Sequence, residues 1–151
     1  MTEESNVKQR LVALLMAEKF GVLSTCGERQ PYASLVAFAS TKDLSHIVFV
    51  TPRPTKKYAN LTANARVALL VDNRSNRVSD LERAMGATAV GTVVEVRKSK
   101  SSRLIRTYLD KHPQLAGFAW SATSAVLDLR VEAYTVVERF QEVTRLQIAG
   151  S

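Results

Sequence analysis

The chain has 151 residues, 46% of them hydrophobic and 23% charged, and it carries a formal net charge of +7. This is the composition of an ordinary globular protein, and the length predicts one domain over residues 1–151. One cysteine, Cys26, and two histidines exclude an intrachain disulfide and a multi-cysteine zinc site, and they argue against a metal enzyme. Without a signal-peptide pattern or an apolar run of about 20 residues, we expect a cytoplasmic protein with no membrane partner.

The first half of the chain predicts two helices and four strands. Four apolar residues recur at helical spacing near the start and predict an amphipathic first helix: Val7, Leu11, Leu14 and Leu15. Apolar stretches between polar turns predict strands at residues 20–25, 32–39, 47–50 and 66–71. Pro52 and Pro54 end the third strand, because proline removes a ladder donor. Residues 55–65 then return to helical spacing, with Thr55 as the N-cap and Ala65 on the apolar side.

The second half predicts one helix and three strands. Residues 72–83 are polar and charged and predict an exposed loop. A helix capped by Ser99 or Ser101 is stopped at Pro113. Strands are predicted at residues 87–96, 125–130 and 134–140. Because paired strands outnumber helices and no β-α-β alternation appears, the pattern favours an α+β fold with an antiparallel sheet or barrel.

The positive charge is concentrated in the middle of the chain. Residues 31–80 and residues 81–111 each carry seven bases against three acids. Such a distribution indicates an anionic partner, either a phosphate-bearing small molecule or a polyanion; the alternative is a solvated basic face with no partner. Few aromatic residues interleave with the basic ones, which argues against a nucleic acid.

One segment places cations where a helix disfavours them. Arg53 precedes the second helix, and Lys56 and Lys57 lie in its first turn. The positive end of the helix dipole disfavours each exposed cation by about 0.3–1 kcal/mol. A bound phosphate would reverse this effect, because free backbone N–H groups, the Thr55 hydroxyl and the basic side chains would face one dianion. The alternative is that the lysine side chains extend into water. Ser34, on the second strand, could face the same end of the barrel.

These segments resemble the pyridoxamine 5′-phosphate oxidase-like FMN-binding split β-barrels. The resemblance covers residues 7–97 and depends on three segments, residues 20–25, 31–36 and 51–57, with Leu61, Asn64 and Val67 following the last of them. It implies an α+β fold, an antiparallel split β-barrel of about six to seven strands with flanking helices. It also implies a homodimer with FMN in the groove between the subunits.

The same resemblance implies roles for individual residues. It places the FMN phosphate on Thr55, Lys56 and Lys57, with contributions from Ser34 and Arg53. Backbone groups near three further residues would contact the flavin ring or the ribityl chain: Leu35, Val36 and Thr51. No side-chain acid or base is required, since a hydride can pass directly between a substrate and the flavin.

Two departures from the family pattern argue against pyridoxamine phosphate as the substrate. The authentic oxidases carry an arginine where Ser34 stands, and they end in a segment with an Arg-x-His motif, whereas residues 139–148 contain no histidine. Other relatives use deazaflavin F420 or bind haem. We therefore expect an FMN-dependent oxidoreductase acting on an unidentified small molecule. The alternative is a non-enzymatic flavin, F420 or haem carrier on the same fold.

Overall fold

In the computed structural model, which describes residues 2–148, seven strands form one antiparallel sheet. The elements in chain order are α1 (Glu3–Ala17), β1 (Phe20–Cys26), β2 (Pro31–Ser40), β3 (His46–Pro52), α2 (Lys56–Ala63), β4 (Arg66–Asp72), α3 (Asp80–Arg83), β5 (Met85–Val96), α4 (Arg103–Lys111), a 3-10 turn (Pro113–Leu115), α5 (Ala116–Trp120), β6 (Ser124–Glu138) and β7 (Glu142–Gln147).

The first six strands close into a barrel. The sheet order is β3-β2-β1-β4-β5-β6-β7, and an additional pairing of β3 with β6 completes the closure. Strand β6 is long enough to serve two partners along one edge: residues 124–130 pair with β3 and residues 133–138 pair with β7. The predicted α+β split barrel is therefore confirmed, as six closed strands plus one extra strand with helices around them.

The main core fills the barrel, and α1 packs against it. The predicted apolar stripe of α1 is buried in the same cluster as inward-facing barrel residues such as Leu23, Phe38 and Phe49. A second cluster lies outside the barrel, where Ile105 and Tyr108 of α4 are buried together with apolar residues of β2, β3 and β6. Strands β2 and β3 are thus packed on both faces at the end where they meet.

At their other end, β2 and β3 separate. Strand β2 pairs with β1 along residues 31–37 but with β3 only at residues 38–40. The last residues of β3, 50–52, pair with β6 on their other edge. The edges of residues 31–37 and 50–52 that face each other therefore carry backbone N–H and C=O groups without a ladder partner among residues 2–148. We call this opening the β2–β3 split.

The strands near the C-terminus differ from the prediction. Residues 125–130 and 134–140 were expected to form two strands, but residues 124–138 form the single strand β6, and the seventh strand is residues 142–147. The register of β5 with β6 shifts between Val90 and Gly91, so Glu132 is bulged out of the ladder and the strand continues past it. A Cβ at Gly91 would lie 2.0 Å from the carbonyl oxygen of Arg130, which explains the glycine at the bulge.

Three local expectations also need correction. Helix α2 ends at Ala63, so Ala65 lies outside it; the Asn64 side chain turns the chain by donating to the Cys26 carbonyl and accepting from the Arg66 N–H. The cap of α4 is Ser102, whose hydroxyl accepts from the Ile105 N–H, while Ser99 and Ser101 hydrogen-bond to each other. Residues 72–83, expected to be loop, contain the short helix α3.

Candidate functional site

The eight predicted site residues lie on the three elements that border the β2–β3 split. They are Ser34, Leu35 and Val36 on β2, Thr51 and Arg53 at the end of β3, and Thr55, Lys56 and Lys57 at the start of α2. Residue Leu35 is 68% exposed on the outer face, whereas Val36 is buried in the barrel. Their side chains therefore point away from one another, and what they offer the split is the free backbone edge of β2.

The segment between β3 and α2 is held by two threonine hydroxyls. Thr55 is the predicted N-cap: its Oγ1 accepts a hydrogen bond from the Tyr58 N–H at 3.1 Å and donates to the Pro52 carbonyl at 2.9 Å. Thr51 is fully buried, and its Oγ1 lies 3.2 Å from that of Thr55. In the described part of the chain, the backbone N–H groups of Lys56 and Lys57 have no acceptor, so both are available to an anion.

Arg53 already has an ion-pair partner within the chain. Its guanidinium forms a two-pronged ion pair with Glu95 of β5, at 2.9 and 3.2 Å, and also donates to the Tyr58 hydroxyl at 2.9 Å. The Tyr58 hydroxyl in turn donates to Glu95 at 2.8 Å. The hydrogen bond from Arg53 lowers the pKa of Glu95, so the carboxylate is charged at neutral pH. Arg53 therefore braces the start of α2 against β5, and its charge is already matched.

The two lysines of the first turn differ from Arg53. Lys56 is exposed, whereas Lys57 is half-buried, and burial lowers the pKa of Lys57. Within residues 2–148, neither side chain has an ion-pair or hydrogen-bond partner. Lys57 is thus a cation partly removed from water, at the positive end of a helix, with no counter-charge. Both effects disfavour the folded state unless an anion lies beside the amine.

Ser34 supplies a second unsatisfied group. It pairs with Leu23 of β1, which places its side chain on the inner face of the sheet, and its Oγ is buried with no hydrogen-bond partner in the described residues. Because nearly all buried polar atoms in folded proteins are paired, an orphaned hydroxyl beside an open backbone edge indicates a missing partner. A phosphorylated flavin fits what the residues offer: free N–H groups, an unpaired lysine, a free hydroxyl and two strand edges for a polar ring.

His112 and Cys26 lie away from the split. His112 is the C-cap of α4 and is buried, with its Nε2 donating to the Phe38 carbonyl at 2.8 Å, and Cys26 is a half-buried free thiol. Sequence reasoning missed Glu95 and Tyr58 as partners of Arg53. Tyr58 could have been found from its spacing on α2, but Glu95 lies 42 positions from Arg53 and carries no local signal. Among the described residues, no helix has the length and apolarity needed to cross a membrane.

Comparison with solved structures shows the fold in several relatives. A heme binding protein from Mycobacterium smegmatis has a TM-score of 0.81 at 16% identity, over 93% of this chain and 57% of that one. Campylobacter jejuni ChuZ has a TM-score of 0.80 at 10% identity, over 97% of this chain and 61% of its own. A FAD-binding protein from Mesorhizobium loti has a TM-score of 0.65 at 21% identity, over 85% of this chain and 90% of that one.

The first of these relatives is considerably longer, since the chain spans little more than half of it. No curated protein sequence matches the chain significantly. The sequence model of one family, described as pyridoxamine 5′-phosphate oxidase, matches residues 7–138. That match covers most of the chain and agrees with the closed barrel and its split. The chain therefore belongs to the pyridoxamine 5′-phosphate oxidase family.

Proposed function

We propose that the chain binds FMN in the β2–β3 split and acts as a flavin-dependent oxidoreductase on a small molecule other than pyridoxamine phosphate. The observation that carries the proposal is Lys57, a half-buried cation without a partner in the described residues, beside two free helix N–H groups. Such an unmatched amine and free N–H groups destabilise the ligand-free protein, and their contacts become favourable when a phosphate binds. The family match supports a flavin as the phosphate's carrier.

Each part of the split has a distinct role in this proposal. Lys56 and Lys57 bind the phosphate through their side chains and N–H groups, and the Ser34 hydroxyl completes the shell. Thr51 and Thr55 hold the turn that aims these groups, and Arg53 braces it through Glu95. The free edges of β2 and β3 accept and donate hydrogen bonds to the polar rim of the ring. Bound FMN would supply the hydride-transfer chemistry, and the protein would bind and orient the reactants.

We further propose that the protein is a homodimer. Val22 of β1 pairs with both Leu35 of β2 and Leu70 of β4, so the three side chains form a row across the outer face of the sheet. Leu35 is 68% exposed and Leu70 is 38% exposed, and Phe20, also on β1, is 56% exposed. A contiguous apolar patch beside the split suits a second copy of the chain, which would also cover the open groove.

The phosphate assignment is tested by titrating FMN and riboflavin into three proteins. They are the wild type, Lys56→Ala/Lys57→Ala, and a control of equal charge change, Lys100→Ala/Arg145→Ala. Each charge-assisted contact contributes about 1.5–3 kcal/mol, so the first double variant should bind FMN at least tenfold more weakly, with riboflavin affinity unchanged. The control should match the wild type. Equal loss of both ligands, or unchanged FMN affinity, would show that the phosphate lies elsewhere.

A non-enzymatic carrier of flavin, F420 or haem is the second candidate. A heme binding protein shares this fold at 16% identity, so haem is included among these candidates. Neither histidine borders the split: His46 contacts Asp128 and His112 is buried against Phe38. Visible absorption of the purified protein, with haem or FMN added, distinguishes the cofactors. Oxidation of NADH or NADPH by the FMN-loaded protein would support an oxidoreductase, and its absence with every common electron donor would favour a carrier.

A further inference from the structure

A cavity of about 870 Å³ lies at the end of β2 and β3 opposite the split. Its walls are Met16 of α1, residues 39–43 and His46 at the β2–β3 turn, and residues of α4 between Arg103 and Lys111. None of the eight residues assigned to the flavin is among the described residues that line it. The volume lies within the range of about 300–1,000 Å³ that is usual for small-molecule sites. The proposed flavin site therefore leaves this cavity without a role.

His46 is held in a fixed orientation at the wall of this cavity. Its Nδ1 lies 2.9 and 3.0 Å from the two carboxylate oxygens of Asp128, a residue only 3% exposed. Because an ionised carboxylate only accepts hydrogen bonds, Nδ1 carries the proton of this contact. The other ring nitrogen, Nε2, has no partner among residues 2–148. In the neutral ring this tautomer leaves Nε2 as a hydrogen-bond acceptor, and the buried acid fixes the orientation in which His46 presents it.

The charges around the cavity favour an anion. Three cations line it, Lys42, Arg103 and Lys111, against two acids, Asp43 and Asp110, so the lining carries an excess of one positive charge. Asp43 stays ionised, because hydrogen bonds from Thr41 and Ser45 lower its pKa to about 2. The Lys111 amine already donates to two backbone carbonyls of the segment that ends α1. The side chains of Lys42 and Arg103 have no ion-pair or hydrogen-bond partner in the part of the chain that the structure describes, so these two cations are available to an anion.

The cavity also has an apolar wall. Met16, Ala39 and Leu104 contribute apolar surface from three different elements. Apolar lining with a few polar groups is the usual character of a small-molecule site, and it favours an organic anion over a bare inorganic ion.

We propose that this cavity is a second binding site, for a small organic anion whose carboxylate or phosphate is held by Lys42 and Arg103 and whose apolar body lies against Met16 and Leu104. The site is independent of flavin binding, since it shares no residue with the split. Both head groups offer oxygen acceptors to the same donors, so the head group is resolved by experiment.

The test uses backbone amide NMR of the FMN-saturated protein, so that the flavin occupies the proposed phosphate site. Three probes are titrated: benzoate, phenyl phosphate and benzamide, the last being the neutral counterpart of benzoate. Ligands of this size bind with a Kd on the order of 1 mM. At least one anion should saturably shift the amides of Lys42, His46, Arg103 and Leu104, with benzamide at least tenfold weaker. The anion with the lower Kd identifies the preferred head group.

Variants then separate this site from general charge attraction. Lys42→Ala/Arg103→Ala should weaken the preferred anion at least tenfold, whereas Arg83→Ala/Arg145→Ala, with the same change in net charge, should leave it unchanged. All four side chains are exposed, so both double variants are expected to fold. Absence of saturable shifts at these amides, benzamide binding as tightly as benzoate, or equal losses in both variants would overturn the proposal. If FMN itself does not bind, the titration is made on the flavin-free protein. Amide shifts confined to Lys56 and Lys57 would then also count against the second site.

Discussion

Replacing Lys57 by methionine should stabilise the flavin-free protein while weakening its response to FMN. Methionine is of similar length and removes only the charged amine. In the folded state that amine is half-buried, lies in the first turn of α2 and has no partner among the described residues. The substitution therefore removes a charge that the protein fold disfavours and that only a bound anion would make favourable.

The size of the effect follows from the position of the amine. Removal of a cation from a helix N-terminus gains about 0.3–1 kcal/mol, and relief of partial desolvation adds to this, so we expect about 1 kcal/mol in total. For a chain of this length, that corresponds to a rise of about 2–4 °C in Tm. FMN at 100 times its Kd stabilises the wild type by about 2.7 kcal/mol. With a contact worth about 1.5–3 kcal/mol removed, the variant should lose most of that gain.

Thermal unfolding at equal protomer concentration, without ligand and with FMN or riboflavin, measures both effects. Lys56→Met is the matched control: Lys56 is exposed, so its removal should raise Tm by less. Riboflavin should stabilise the wild type and both variants equally. A flavin-free Lys57→Met protein that melts below the wild type would refute the reasoning, because the amine would then make a stabilising contact within the protein.

Three further predictions concern the scaffold. Burial lowers the pKa of Lys111 from 10.5 to about 8, so the unfolded chain binds more protons between these pH values, and stability should rise with pH there. Between pH 7 and pH 10, the free energy of unfolding in urea should rise by about 1–2 kcal/mol more for the wild type than for Lys111→Met. This range already allows for the partial exposure of the amine. Gly91→Ala should cost about 3 kcal/mol or more in thermal unfolding, because its methyl group would meet the Arg130 carbonyl. Tyr134→Phe should cost about 1–3 kcal/mol in urea unfolding, because the Leu44 carbonyl loses its buried donor. Parallel pH profiles of the wild type and Lys111→Met would contradict the first prediction. A Gly91→Ala or Tyr134→Phe protein as stable as the wild type would contradict the second or the third.

The elements that sequence predicted well are those specified by local pattern. The stripe of α1, the first five strands and the Thr55 cap each follow from the spacing of apolar residues or from a single capping side chain. The phosphate site that we propose at the start of α2 rests on a local signal as well, because cations in a first helical turn contradict a local rule. What local pattern specifies is therefore the elements and the places where they carry an unusual residue.

Features that depend on distant partners were not predictable in the same way. Glu132 interrupts an apolar run and reads as a turn, but it is a bulge that β5 tolerates because Gly91 lies opposite. The closure of β3 on β6 joins residues about eighty positions apart, and the Asp128–His46 contact depends on that closure. Such pairings arise from which strands become neighbours in the barrel, and a single sequence carries no local sign of that.

The contrast among the three cations at the start of α2 is the strongest physical argument for an anion there. Arg53 forms an ion pair with Glu95 of β5 and a hydrogen bond with the Tyr58 hydroxyl, so the barrel supplies a counter-charge at this place. Lys57, four residues on, is partly withdrawn from water without one. A basic surface that served only solubility would expose both lysines, as it exposes Lys56. A half-buried, unmatched amine beside free N–H groups is instead what a phosphate site requires before its ligand arrives.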